Sequence, residues 1–94
     1  MTYKLRFHEL ALIEWKKLDN SIREPLKRKL IERLEFPHVT AARLLGMPNC
    51  YKIKLLHVGY RLIYQVEGDI LFVTVLAVGK RDKLKVYNTA KSRL

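Results

Sequence analysis

Cysteine is nearly absent from this sequence. Cys50 stands alone, so no internal disulfide can form, which fits a reducing compartment. Long apolar runs are missing too: the longest strongly apolar stretch without charge, Ile70 to Gly79, is far shorter than the roughly 18 residues a membrane helix needs. The first residues, Met1-Thr2-Tyr3-Lys4-Leu5-Arg6, hold no apolar signal core, which predicts a cytoplasmic protein. His8, His38 and His57 are scattered, and together with Cys50 they give no metal-ligand spacing. Glycines 46, 59, 68 and 79 are isolated turn residues, so no phosphate-cradling Gly-rich loop exists. Repeats, low-complexity tracts and linkers are also lacking. With 94 residues, 49% of them hydrophobic, the chain predicts one domain over 1–94 with a small core of its own.

What is abundant is positive charge. Nineteen Lys and Arg face nine Asp and Glu, a net charge of +10 and a pI near 10. The plain role of such charge is solubility, but an excess of this size points to a polyanionic partner: nucleic acid, an acidic protein or an anionic surface. Its distribution is uneven. Residues 1–35 carry nine bases and six acids, residues 67–94 carry six and three, and residues 36–66 carry Arg43, Lys52, Lys54 and Arg61 with no acid at all.

Hydrophobic periodicity gives the elements. Tyr3, Leu5 and Phe7 alternate with Lys4 and Arg6, a half-buried strand. From Glu9 to Leu18 the period becomes helical, with Ala11, Trp15 and Leu18 on one face. Ser21-Ile22-Arg23-Glu24 reads as a capping box opening a second helix with Ile22, Leu26, Leu30 and Leu34 as its apolar stripe. Its Lys27-Arg28-Lys29 run reads as a solvated face. Phe36-Pro37 ends that helix, and residues 37–49 read as a loop with one helical turn near Thr40 to Leu44. Three strands follow, Tyr51 to Leu56, Tyr60 to Val66 and Ile70 to Val78, with hairpin turns at Val58-Gly59 and Gly68-Asp69. Asp82 caps a last short helix running to about Ser92. The order β-α-α-β-β-β-α predicts an α+β domain, an antiparallel sheet with helices packed on one face.

Strand alternation sorts these side chains. Lys52 and Lys54 share one face, while Tyr51, Ile53 and Leu55 point to the helices. An even-numbered loop puts Arg61 on the face of Lys52 and Lys54, and a two-residue loop with Leu56 opposite Gly59 sets Lys54 directly across from Arg61. Like charges so paired cost a few tenths to about 1 kcal/mol, so a sheet that accepts three clustered cations is expected to use them. Leu62, Tyr64 and Val66 join the core face, with Leu71, Val73, Val75 and Ala77. Arg81 lies just beyond the third of these strands, and Tyr87 on the final helix is placed to cover the cationic face. Cys50, lacking a histidine partner, reads as a small apolar filler.

These residues resemble the RelE family of toxins over nearly the whole chain. The resemblance is carried by Gly46-Met47-Pro48-Asn49-Cys50-Tyr51-Lys52-Ile53-Lys54-Leu55, by Gly59-Tyr60-Arg61-Leu62-Ile63-Tyr64-Gln65-Val66, by Val78-Gly79-Lys80-Arg81 with Val86-Tyr87, and by Glu14-Trp15-Lys16-Lys17-Leu18. It implies a microbial-RNase-like RelE fold and the toxin of a type II toxin–antitoxin pair, an endoribonuclease that cuts messenger RNA in the ribosomal A site. The implied partners are a cognate RelB-like antitoxin, the ribosome with its rRNA, and mRNA, with no membrane and no cofactor or metal. The implied catalytic positions fall on Lys52, Lys54, Arg61, Arg81 and Tyr87, with Arg43, Lys80 and Lys83 as further RNA contacts. Leu45 and Leu56 stand where well-known members carry arginine. The alternative is a ParE-like toxin of the same fold that inhibits DNA gyrase without catalysis.

These residue types support a metal-independent reaction. Cleavage by the RNA's own 2′-hydroxyl needs loss of the 2′ proton, stabilisation of a crowded phosphorane and charge relief at the leaving 5′-oxygen. Lys54 is the candidate base, with Lys52 and Arg61 favouring its neutral amine. A downward shift of about three units corresponds to roughly 4 kcal/mol, a large demand on two neighbours. Lys52 and Arg61 then stabilise the phosphorane, Arg81 donates to the leaving oxygen, and Tyr87 orients the target nucleotide. A base this weak predicts poor cleavage of free RNA, unless positioning by the ribosome supplies some of the roughly 7–11 kcal/mol that alignment can give.

Overall fold

The structure, a computed structural model, describes residues 2–55, 57–80 and 85–94. Leu56, Arg81, Asp82 and Lys83 lie outside the described residues, and with them the expected cap of the final helix. The elements are β1 (Lys4–Phe7), α1 (Glu9–Lys16), α2 (Asn20–Glu35), a 3-10 turn (Thr40–Ala42), β2 (Cys50–Leu55), β3 (Tyr60–Glu67), β4 (Phe72–Lys80) and α3 (Lys85–Ser92). Their order is the one the periodicity predicts.

The four strands form one sheet in the order β1-β4-β3-β2. β2, β3 and β4 are antiparallel, but β1 runs parallel to β4, so the sheet is mixed rather than antiparallel. Alternation identifies β1 as a strand; its neighbour and direction follow from the path through α1 and α2, which returns the chain to the far side of the sheet.

A second correction concerns the helices. Leu62, Tyr64 and Val66 of β3 are buried in one cluster with Ala11 of α1 and Leu26 and Leu30 of α2. Ile63, between them, is buried in another cluster with Val86 and Ala90 of α3. Successive strand residues point to opposite faces. Hence α1 and α2 cover one face and α3 the other. Each buried aliphatic side chain contributes on the order of 1.5–3 kcal/mol, so the two layers together outweigh what a single face could give.

The core face of β4 also differs from simple alternation. Ile63 pairs with Ala77 and Tyr64 with Val75, so the register shifts and Leu76 is an extra residue. Two neighbours on a bulge cannot keep alternating. Val73, Val75 and Val78 face α1 and α2, whereas Leu76 and Ala77 join the α3 cluster. Leu71 precedes β4, half-exposed, with φ at +56°. The ladders close on Leu55–Tyr60 and Glu67–Phe72, so both hairpin loops span four residues. Four is still even, and Lys54 does stand directly across from Arg61.

Both helix starts use a side chain earlier than expected or overlooked. Asp19, not Ser21, caps α2: its carboxylate accepts from the Ser21 amide at 3.0 Å and the Ser21 hydroxyl at 2.5 Å. A carboxylate is the stronger acceptor for a helix N-terminus, and it holds Ser21 inside the first turn. His8 caps α1 by accepting the Leu10 amide on Nδ1 at 3.2 Å. Cys50 is fully buried as a filler; burial pushes its thiol up to about 11, and it donates to the Pro48 carbonyl at 3.4 Å. Among the described residues, no helix is long and apolar enough to cross a membrane.

Candidate active site

The cationic residues meet where β2 and β3 pair. Lys52 lies opposite Ile63 and Lys54 opposite Arg61, while Arg61 lies opposite Gly79 of β4 on its other side. Alternation puts Lys52, Lys54 and Arg61 on the face that α3 covers. Gly79 matters here: with no side chain across from it, Arg61 has space on the β4 side.

Arg61 is the anomaly in the sheet. It is 6% exposed, the one buried charged residue among those described. Its Nη1 donates to the Tyr60 carbonyl at 3.1 Å, but its Nε has no hydrogen-bond partner. Among the described residues, no carboxylate lies within ion-pair distance of it. A guanidinium so buried carries a desolvation penalty of several kcal/mol, which an arriving anion would offset. A phosphate oxygen is such an anion, with a geometry that matches the guanidinium fork.

Lys52 is half-buried and Lys54 exposed. Tyr87, half-buried on α3, packs against the cluster of Ile63, Leu76 and Ala77, on the same face as Arg61. The expectation that Tyr87 covers this face is met at that level. Arg43 is exposed beyond β2, where its backbone bridges Tyr51. Lys80 ends β4 opposite Tyr60, with Nζ 5.9 Å from that ring's centroid. The register therefore turns Lys80 to the face opposite Arg61. Leu45 is 96% exposed on the loop beside Arg43. Among the described residues, no group of His, Cys, Asp or Glu is placed to hold a metal.

Two further cations lie beside this set: Lys29, whose run reads in the sequence as a solvated helix face, and Arg33, to which the sequence pattern gives no role. Lys29 and Arg33 of α2 line a cleft of about 710 Å³ whose other wall includes Lys52 and Lys54 of β2. Arg33 is fixed there: its Nη1 donates to the Lys52 carbonyl at 3.2 Å and to the Tyr64 hydroxyl at 2.9 Å, and that hydroxyl donates to the Pro37 carbonyl at 2.7 Å. Burial of Tyr64 pushes its hydroxyl above the usual phenol range despite Arg33. The signal was present in the sequence, because Ser21, Pro25, Lys29 and Arg33 form one i, i+4 row next to the apolar stripe.

Comparison with known proteins gives a consistent result. Residues 5–84 match the family model described as ParE toxin of type II toxin–antitoxin system, parDE. The chain is 52% identical to the mRNA interferase toxin RelE of Escherichia coli K12, covering 100% of this chain and 99% of that protein, and 52% identical over the same span to the mRNA interferase RelE of Shigella flexneri. Among solved structures, an arginine-to-alanine double mutant of E. coli toxin RelE in the free state superposes with a TM-score of 0.92 at 51% identity, covering 100% of this chain and 99% of that one. The toxin in the intact E. coli RelBE toxin–antitoxin complex gives 0.83 at 53% identity over 86% of this chain and 99% of that one.

Proposed function

The chain belongs to the ParE/RelE family of type II toxin–antitoxin toxins, and we propose that it is a metal-independent endoribonuclease that cuts messenger RNA in the ribosomal A site. The observation that carries this reading is Arg61: a buried guanidinium with an unpartnered Nε, directly across from Lys54 and on the face of Lys52. Such a site is costly when empty and is compensated when a phosphate enters. The 52% identity to proteins named mRNA interferases supports the substrate.

The chemistry is a transesterification. Neutral Lys54 takes the 2′ proton, the 2′-oxygen bonds to phosphorus, and the bond from phosphorus to the 5′-oxygen breaks. The products are a 2′,3′-cyclic phosphate and a 5′-hydroxyl, whose proton comes from solvent. Lys52 and Arg61 hold the equatorial oxygens as charge builds on them, and Arg81 donates a hydrogen bond to the leaving oxygen. Tyr87 holds the base or sugar of the target nucleotide. Arg43, Lys80 and Lys83 add longer-range attraction to RNA. The work is done in the cytoplasm, where translating ribosomes are. A RelB-like antitoxin restrains it; relatives form such complexes.

The name of the matching family model favours one second reading, a ParE-like inhibitor of DNA gyrase. Primer extension on messages after brief expression separates the two. Cuts inside translated codons, absent without ribosomes in a purified system, are the expected result. Intact messages with DNA damage would replace the nuclease by the gyrase inhibitor. Arg81→Ala should lower single-turnover cleavage by about two to three orders of magnitude, as removal of one preorganised donor does.

A further inference from the structure

We propose that the cleft between α2 and β2 is a second RNA subsite, which takes the message strand beyond the nucleotide being cut. This rests on the nuclease reading above. The cleft measures about 710 Å³, and Lys29, Arg33, Lys52 and Lys54 line it, with no carboxylate among the described residues that line it. Lys52 and Lys54 belong at once to the cationic face and to this cleft. A strand leaving Arg61 therefore passes over the outer edge of β2 from one group of cations to the next.

The walls suit a ribose–phosphate chain. Two of the cations come from the helix and two, whose side chains lie on the α3 face, from the edge strand, so a run of phosphates can pass from one pair to the other around the sheet edge. Between them Val39 and Ala42 offer small apolar surface where a sugar or base can rest. Arg33 is oriented by its bonds to the Lys52 carbonyl and the Tyr64 hydroxyl, and Lys29, one turn earlier on α2, is exposed. No carboxylate of the described residues forms an ion pair with Lys29 or Arg33. Both charges remain available to an incoming anion, and single-stranded nucleic acid is tracked by grooves of this kind.

Lys29→Glu is the decisive variant, because Lys29 is exposed and its change leaves the core intact. Lys27→Glu is the matched control: it alters net charge equally on the same helix, but Lys27 lines a different groove, on the β1 side. The probes are fully 2′-O-methylated RNAs, which cannot be cut, of about 12 and about 4 nucleotides, within the range of site sizes such grooves cover. Lys29→Glu should raise the Kd of the longer RNA about tenfold and lower the steepness of its salt dependence by about 0.7 per lost phosphate contact. The Kd of the shorter RNA, and both values for Lys27→Glu, should move by less than about twofold.

Equal effects of the two variants would show a diffuse field and overturn the subsite. So would unchanged oligonucleotide binding with weakened ribosome binding, which would assign the cleft to ribosomal RNA. Loss of binding to a polyglutamate peptide with RNA binding intact would assign it to an acidic protein segment, again against the proposal. Cleavage of messages by the unaltered protein is read separately. If that cleavage is absent, the nuclease reading fails; if it is present while Lys29→Glu binds RNA normally, only the subsite fails.

Discussion

Arg61 sets an electrostatic problem that its neighbours make worse, since Lys54 faces it and Lys52 shares its side of the sheet. Replacing Lys54 separates a base from a mere charge. Lys54→Arg keeps the charge but cannot lose a proton at any working pH, whereas Lys54→His keeps a base with an intrinsic pKa of about 6.5. Single-turnover cleavage at saturating enzyme should rank wild type above His and His above Arg, with the pH midpoint displaced in the His variant. Arg at or above His, with an unmoved pH profile, would take the base role from Lys54. Away from the site, Glu67 shows ordinary stabilising chemistry. The Thr74 hydroxyl first, then Arg6, hold its carboxyl below the usual carboxylate range. A depressed folded pKa contributes stability above the unfolded value, and that contribution is lost as pH falls through the folded one. Glu67→Gln should thus be less stable than wild type at about pH 7 in urea unfolding, with the gap closing towards about pH 3. A gap that persists in acid would mean that the charge is not its source.

At the scale of elements, the two hairpin loops solve one problem differently. Each has four residues, and each ends on a residue in the left-handed region: Gly59 at φ +69° and Leu71 at φ +56°. A Cβ built on Gly59 would meet nothing within 4 Å, so space does not oppose a side chain there; backbone strain does. Gly59→Ala should destabilise by about 1 kcal/mol. Gly68, in the second loop, has a negative φ and equally open surroundings. Gly68→Ala should stabilise by about 0.4–1 kcal/mol, by restricting the unfolded chain. Thermal or urea unfolding of the two variants checks both signs at once. The bulge at Leu76 matters in the same way, since it directs two consecutive residues of β4 towards α3 and builds the layer on which Tyr87 rests.

For the molecule as a whole, one partly buried ion pair ties the last helix to the first. Arg93 donates to both carboxylate oxygens of Glu14, at 2.9 and 2.8 Å, and to the Leu76 carbonyl at 2.9 Å, while Glu14 accepts the Val78 amide at 3.2 Å. The pair joins α1, β4 and the end of α3, and holds α3 over the cationic face. Glu14→Gln keeps an acceptor for Val78 but loses the charge. Amide exchange in α3 should then speed up about tenfold or more, corresponding to roughly 1.5 kcal/mol of lost charge-assisted bonding, with the Val78 amide still protected. Unchanged exchange in α3 would show that Val86 and Ala90 hold the helix without it. The same geometry bears on the antitoxin. A segment that neutralises this protein should cover the Lys52, Lys54 and Arg61 face or displace α3, and a stable complex that leaves both untouched would refute that.

Much of this was decided by the sequence alone. Period-2 and period-3.6 patterns placed every strand and helix in order, because a half-buried element must repeat its apolar residues at its own pitch. A loop centred on His57-Val58 sets Lys54 across from Arg61 whether it has the two residues the sequence suggested or the four observed, because both keep the same register. The segment from Phe36 to Val66 declared its charge by having no acid in it. Tertiary structure decided the rest. The parallel pairing of β1 with β4 depends on how the chain returns from α2, which no local period encodes. α3 took the opposite face because the bulge at Leu76 supplied a second apolar layer. Lys29 and Arg33 looked like solvated helix charges until α2 settled beside β2 and gave them Lys52 and Lys54 as neighbours. The burial of Arg61 arises only when strands and helix close around it, because desolvation is a property of the assembled fold and not of any one residue.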